Sequence, residues 1–286
     1  MARRTTSNGG LRRIVDLWAG LFAEHDLLTS ASAIALQAFV AEVAIALLGL
    51  GLLAATGEQS VWNSQVGPQV QQRVLEGVFA GMDQTVQHIF QSDSAGLIIF
   101  AALLAIWEVS GAVRACMGAL NRIYETSEGR PWWIRFPVSL SLSVGIILAL
   151  IGSALLLLAE RHAVHGAWGL PFAVVRWLGS IALLGLAFGL LVRFAPNERR
   201  AKKWVTAGAA LVVIGWIIES LIFRWYVTSV ANFKTAVGSL TVFLVMTSYL
   251  YVGSIILLVG IEVDELARRD AARPKRSIVE LVRGFL

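Results

Sequence analysis

Three glutamates and one arginine stand where charge is expensive. Glu42, Glu108 and Glu219 each fall well inside a long apolar run, and Arg114 follows Glu108 by six residues. An ionised side chain near the centre of a bilayer costs several kcal/mol unless it is paired or hydrated, so such residues mark proton relays, ion paths or polar ligand sites. Gln37, one turn or so before Glu42, and Ser110, beside Glu108, are placed to join them. The expectation is a polar cavity drawn from Glu42, Glu108, Arg114, Glu219, Gln37 and Ser110, able to take protons, cations or a lipid head group. The plainer alternative is that each carboxylate is protonated or singly hydrogen-bonded and holds helices together.

Other chemistry is weakly signalled. His162 and His165 are three apart but have no carboxylate cluster near them in sequence, and read as loop residues rather than a metal site. The sequence contains no GxxxxGK[ST], HExxH, GxSxG or CxxC pattern, and its single cysteine, Cys116, excludes an intramolecular disulfide. No catalytic residue, metal or cofactor is therefore expected.

The elements that must position the glutamates follow from composition. Hydrophobic residues make up 57% of the 286 residues, charged residues only 15%, and mean hydropathy is +0.70. That leaves too little polar surface to coat a soluble globule of this size. A spanning helix needs about 20 mostly apolar residues, and six stretches meet that length: about 29–56, 96–120, 137–158, 172–194, 204–226 and 237–263. Barrel strands would be about ten residues long and alternating, so the expected fold is an all-α integral membrane protein with six transmembrane helices. At about 1.5 Å of rise per residue, the three glutamates lie near the midplane.

Lys and Arg alternate between the connections. Arg3, Arg4, Arg12 and Arg13 precede the first span, and Arg122, Arg130 and Arg135 surround the second connection. Arg193, Arg199, Arg200, Lys202 and Lys203 mark the fourth, and six more close the tail from Arg268. Arg73, Arg161 and Lys234 stand almost alone in the others. The positive-inside rule puts both termini in the cytoplasm. Topology accounts for the net charge of +5, so the expected counter-charge is anionic lipid at the cytoplasmic face, with no nucleic-acid partner.

Two amphipathic pieces frame the spans. Leu11, Ile14, Val15, Trp18, Leu21 and Phe22 share one face of an N-terminal interfacial helix, whose acids Asp16, Glu24 and Asp26 argue against a cleaved signal peptide. Val70, Val74, Val78, Met82, Val86 and Ile89 predict a helical outer loop between the first two spans. The expected organisation is residues 1–28 as the cytoplasmic N-terminal segment, 29–266 as the six-helix domain and 267–286 as a basic cytoplasmic tail. Gly185 and Gly189 give a GxxxG spacing that permits a homo-oligomer.

The string AIWEVSGAVRACMGALNRIYE, Ala105 to Glu125, resembles the YihY/virulence factor BrkB family of bacterial inner-membrane proteins. RFAPNERRAKKWVTAG, FRWYVTSVANFKTAVGSL and SYLYVGSIILLVGIEVDE extend the likeness from about Leu97 to Leu266. Matching positions are Trp107, Ser110, Gly111, Arg114, Asn121, Tyr124, Pro196, Tyr226, Gly238, Ser239, Leu240, Tyr251, Gly260 and Glu262. Departures are a first span without proline, Val237 in place of a common Tyr, and Glu108 in place of a small residue. The resemblance implies a multi-pass protein of the cell envelope, once mislabelled ribonuclease BN, and an association with envelope integrity.

The leading functional expectation is transport or translocation of a lipid, amphiphile or small molecule through the polar cavity. The competing one is a non-catalytic membrane partner or scaffold for an envelope lipid-transport protein, docking through the outer loop at 57–95. A ribonuclease or other enzyme ranks third, because the connections on the basic side offer mostly Arg and Lys.

Overall fold

The computed structural model describes residues 16, 18–72, 76–91, 94–158, 169–197, 207–229 and 238–272. Residues 18–24 are helical and lead through a turn at His25 and Asp26 into α1, Leu27–Ala55. Short helical turns at Gln59–Val61, Trp62–Val66 and Gly67–Gln71 precede α2, Glu76–Gln91. Then come α3 (Ser94–Ile123), α4 (Trp132–Leu158), α5 (Gly169–Phe194), α6 (Ala207–Ser229) and α7 (Gly238–Ala272). Six of these helices, α1 and α3 to α7, are long and apolar enough to cross a membrane.

Three helix ends differ from the expected spans for local reasons. α4 begins at Trp132, ahead of Pro137, which stands inside the helix and forgoes one backbone bond, to Trp133 O. α3 runs on to Ile123, where Glu125 closes it in the left-handed region (φ 51°), with Glu125 N–H donating to Arg122 O and Thr126 N–H to Asn121 O. α7 continues past Val263, its polar last turns held by Arg268 and Arg269 reaching back to Glu265 at i−3 and i−4. α6 starts at Ala207, and the expected first residues 204–206 lie outside the described ones.

The six spans form a ring. α1 packs on α3, α3 on α4, α4 on α5, α6 on α7, and α7 back on α1, with a smaller contact between α7 and α3. α5 and α6 meet through the rings of Phe188 and Trp216, 6.0 Å apart. The tightest junction, α1 with α3, is lined by small residues: Ala31, Ala41 and Ala44 of α1 and Ala101 and Ala105 of α3 are all buried in the core. Without a hydrophobic drive between helices in lipid, such close backbone approach supplies the packing. Val109, Val113, Met117 and Leu120 continue that face of α3 at helical spacing.

α2 lies against the end of α1. Trp62, Val86 and Phe90 are buried together on Leu50, Leu53 and Ala54, and Trp62 Nε1 donates to Asp83 Oδ1 at 2.8 Å. The expected helical loop is present, but Met82 is exposed, because the buried face runs through Phe79, Val86 and Phe90. Of the expected N-terminal face, Trp18, Leu21 and Phe22 are half-buried and Phe22 touches the main core, while Leu11, Ile14 and Val15 lie outside the described residues.

Candidate functional site

A polar groove opens where α3 lies between α1 and α4. Arg114 donates to Ser110 Oγ one turn back on its own helix and to Ser139 Oγ of α4 at 3.5 Å, and the two hydroxyls are 3.0 Å apart. Both serines are buried. The Arg114 guanidinium also sits 5.6 Å over the Phe136 ring, which meets Trp107 edge-on at 6.0 Å. Gln37 of α1 reaches into the space that a side chain at Gly111 would fill, so that glycine floors the groove. Trp107 is 57% exposed, which places the groove on the bundle's outer surface.

Electrostatically the groove is under-compensated. Among the described residues neither Arg114 nor Arg135 of α4, whose charge acts on Arg114, forms an ion pair with a carboxylate. Arg135 Nε is buried without a hydrogen-bond partner. Arg114 lies nine residues from the end of α3, so about 14 Å in from the basic end of the bundle, and Ser139 about 10 Å in from the start of α4. A fixed cation at that depth, walled by hydroxyls and an aromatic face, matches a phosphate or carboxylate held just beneath the interface.

Gln37, Ser110 and Arg114 therefore come together, with Gly111, Phe136, Arg135 and Ser139 as further members. The sequence offered Ser139 and Arg135 no distinguishing signal, since which faces of α3 and α4 meet is a property of packing. Of the three glutamates only Glu108 acts on this cluster, through its charge on Arg114, and it does so without an ion pair. Glu42 is on an exposed part of α1 and Glu108 is half-buried on α3, and neither forms a hydrogen bond or ion pair among the described residues. Glu219 is buried between α6 and α7 against Gly253, beside Trp216, whose Nε1 donates to Gly253 O at 3.0 Å.

A second network closes the basic end. His25 and Glu262, 237 residues apart in sequence, are both buried, with 2.8 Å between His25 Nδ1 and Glu262 Oε2. Arg269 spans from Glu265 Oε1 at 3.0 Å to Glu125 Oε1 at 2.8 Å, and donates to Ile123 O. Arg122 donates to Ser30 Oγ at 2.8 Å, tying α3 to α1. Sequence reasoning found Glu262 only as a motif position and passed over His25. The available signal was the acid–arginine spacing of Glu262, Glu265, Arg268 and Arg269 at a helix end.

Beside it, Asn121 organises the connection between α3 and α4. Its Nδ2 donates to Glu128 Oε2 at 2.7 Å and its Oδ1 accepts from the Asn197 backbone at 3.1 Å. Arg130 joins Glu128 Oε1 at 2.8 Å to Ala195 O at 2.7 Å, and Pro196 is buried against this lacework. Burial pushes the Glu128 carboxyl up, but the hydrogen bonds and charge of Arg130, with the Asn121 amide, outweigh it and hold the group below the usual carboxylate range.

The remaining motif positions are structural in their contacts. Gly260 lets α7 cross α6 at Gly208, whose N–H donates to Asp264 Oδ1 at 2.7 Å, and Tyr251 packs on the core. Tyr124 is buried, Tyr226 is half-buried near the end of α6, and Gly238 and Ser239 open α7. Gly185 has no neighbour against its face, and His162 and His165 lie outside the described residues.

Six apolar spans in a ring, with buried polar networks between them, define a multi-pass helical membrane protein. The sequence matches the family described as Virulence factor BrkB over residues 19–279, and the chain belongs to that family. It is 28% identical over 190 residues to the ribonuclease-like protein YfkH of Bacillus subtilis (strain 168), covering 63% of this chain and 69% of that one. No solved structure matches the chain. The family is not a known enzyme family, and the name of that relative is a provisional one.

Proposed function

We propose that the protein binds and translocates an anionic amphiphile, with its head group drawn to Arg114 and Arg135 while its tails stay in the surrounding lipid. The bacterial inner membrane, with both termini in the cytoplasm, is the setting that the Lys and Arg distribution supports. In that orientation the groove belongs to the cytoplasmic leaflet, whose surface is rich in anionic lipid. The observation that carries the reading is a pair of guanidiniums in one lipid-facing groove without a carboxylate ion pair among the described residues. A protein partner has no comparable feature in its favour.

Once bound, a phosphate would take hydrogen bonds from Arg114 and from the buried Arg135 Nε, with the Gln37 side chain beside Gly111 moving aside to admit it. The seam at Phe188 and Trp216, where α5 and α6 touch, is the weakest wall of the ring and a natural place for lateral opening. Glu219 lies next to that seam through Trp216. The test uses vesicles holding only the purified full-length chain, with fluorescent phosphatidylglycerol or phosphatidylcholine as probe. Faster flipping of the anionic probe, lost in Arg114→Gln at unchanged melting temperature, supports the reading. Vesicles inert to both probes, or wild-type rates in Arg114→Gln, overturn it.

A further inference from the structure

The turn between residues 18–24 and α1 places an unusual donor set at the basic end of the bundle. Glu24, His25 and Glu125 each present one ligating atom, and the three atoms lie within 4.8 Å of one another. His25 is the informative member. Its ring is 3% exposed, and its Nε2 is buried without a hydrogen-bond partner, 3.9 Å from Glu125 Oε1. Its other nitrogen, Nδ1, is taken by the fully buried Glu262.

We propose that Glu24, His25 and Glu125 form a binding site for a divalent first-row transition ion, of which Zn²⁺ is the suitable probe. A histidine that donates Nδ1–H to a buried carboxylate has its tautomer fixed, leaving the Nε2 lone pair outward and more basic. That carboxylate–histidine arrangement stands behind most metal-bound histidines. One imidazole and two carboxylates suit zinc or its neighbours rather than magnesium or calcium, which favour all-oxygen sites. An ion ligated at about 2.1 Å needs its donors about 3.5 Å apart. Glu24 and Glu125 are exposed and can close that gap by rotation, whereas His25 is already fixed.

The backbone beside the site agrees. The two positive-φ non-glycine residues among those described, Asp26 (φ 50°) and Glu125 (φ 51°), flank the site. Strain of this kind survives where the surroundings hold it, and a cation shared by both turns would do so. Arg269 pairs at 2.8 Å with Glu125 Oε1, the same atom that lies 3.9 Å from His25 Nε2, so an ion bound there must share the Glu125 carboxylate with that guanidinium. The ion would clasp the N-terminal segment to the ends of α3 and α7. This site is separate from the groove at Arg114, and neither depends on the other.

The test is equilibrium dialysis of chelator-stripped, purified full-length protein in detergent against Zn²⁺, read by elemental analysis, with Co²⁺ absorption as an independent report of ligand geometry. About one ion per chain is expected. Glu24→Gln and Glu125→Gln, both at exposed positions, should each weaken binding tenfold or more. Glu262→Gln should weaken it about 10–100-fold through the histidine. Absence of stoichiometric uptake by the wild-type chain, or uptake unchanged by Glu24→Gln and Glu125→Gln, overturns the proposal.

Discussion

Gly208 of α6 and Gly260 of α7 are in backbone contact, so that a Cβ placed on Gly260 would lie 2.8 Å from Gly208 O and collide with Val212 Cγ2 as well. The opposing atoms are backbone and a stiff β-branched side chain, and neither yields readily. Gly260→Ala should therefore destabilise the α6–α7 pair by about 1–3 kcal/mol, the usual scale of overpacking. The measurement is melting temperature in detergent. The same substitution at Gly185, which has open space around it, is expected not to lower that temperature.

At Gly111 the colliding atom would be the end of the Gln37 side chain, which can move away. Gly111→Ala should therefore fold as the wild type does while narrowing the groove. The expected result is weaker retention of phosphatidylglycerol in native mass spectrometry with melting temperature preserved. A larger residue, in Gly111→Leu, should abolish retention. Arg135→Gln should have an effect of the same direction as Arg114→Gln.

Glu128 makes a pH prediction. Its carboxyl is held below the usual value of about 4.3 in the folded protein. Its contribution is therefore present above that usual value and is lost as the pH falls through the lower folded value. The expected size is about 1 kcal/mol, since the pair with Arg130 is only partly buried. Glu128→Gln should cost that amount at neutral pH and progressively less as the pH falls below the usual carboxylate range, checked by melting temperature across the acid range.

The outer loop should respond locally to loss of the bond between Trp62 and Asp83. Asp83→Ala leaves the indole N–H unpaired and is expected to cost about 1–3 kcal/mol of local stability. Hydrogen exchange should then accelerate over Glu76–Gln91 and the three short turns before it, with α3 and α7 unchanged. Uniform acceleration across all spans would show instead that the loop and the ring unfold as one unit.

The sequence by itself determined the class, the number of spans and the side on which positive charge gathers. Each depends on local properties: the length of an apolar run, the absence of alternation and the count of Lys and Arg per connection. It also carried the family, through strings such as Ala105–Glu125. It located Gln37, Ser110 and Arg114 as polar residues at membrane depth, but not which of the six candidates would meet. That outcome depends on how each helix is rotated and which helices are neighbours, and an apolar run that is hydrophobic on all sides encodes neither strongly. The tertiary structure alone brought Ser139, Phe136 and Arg135 of α4 to Arg114, and left Glu42 and Glu108 without ion pairs among the described residues. It alone joined His25 to Glu262 across 237 residues, because two polar groups buried at the same end of a ring must satisfy one another or remain unpaired.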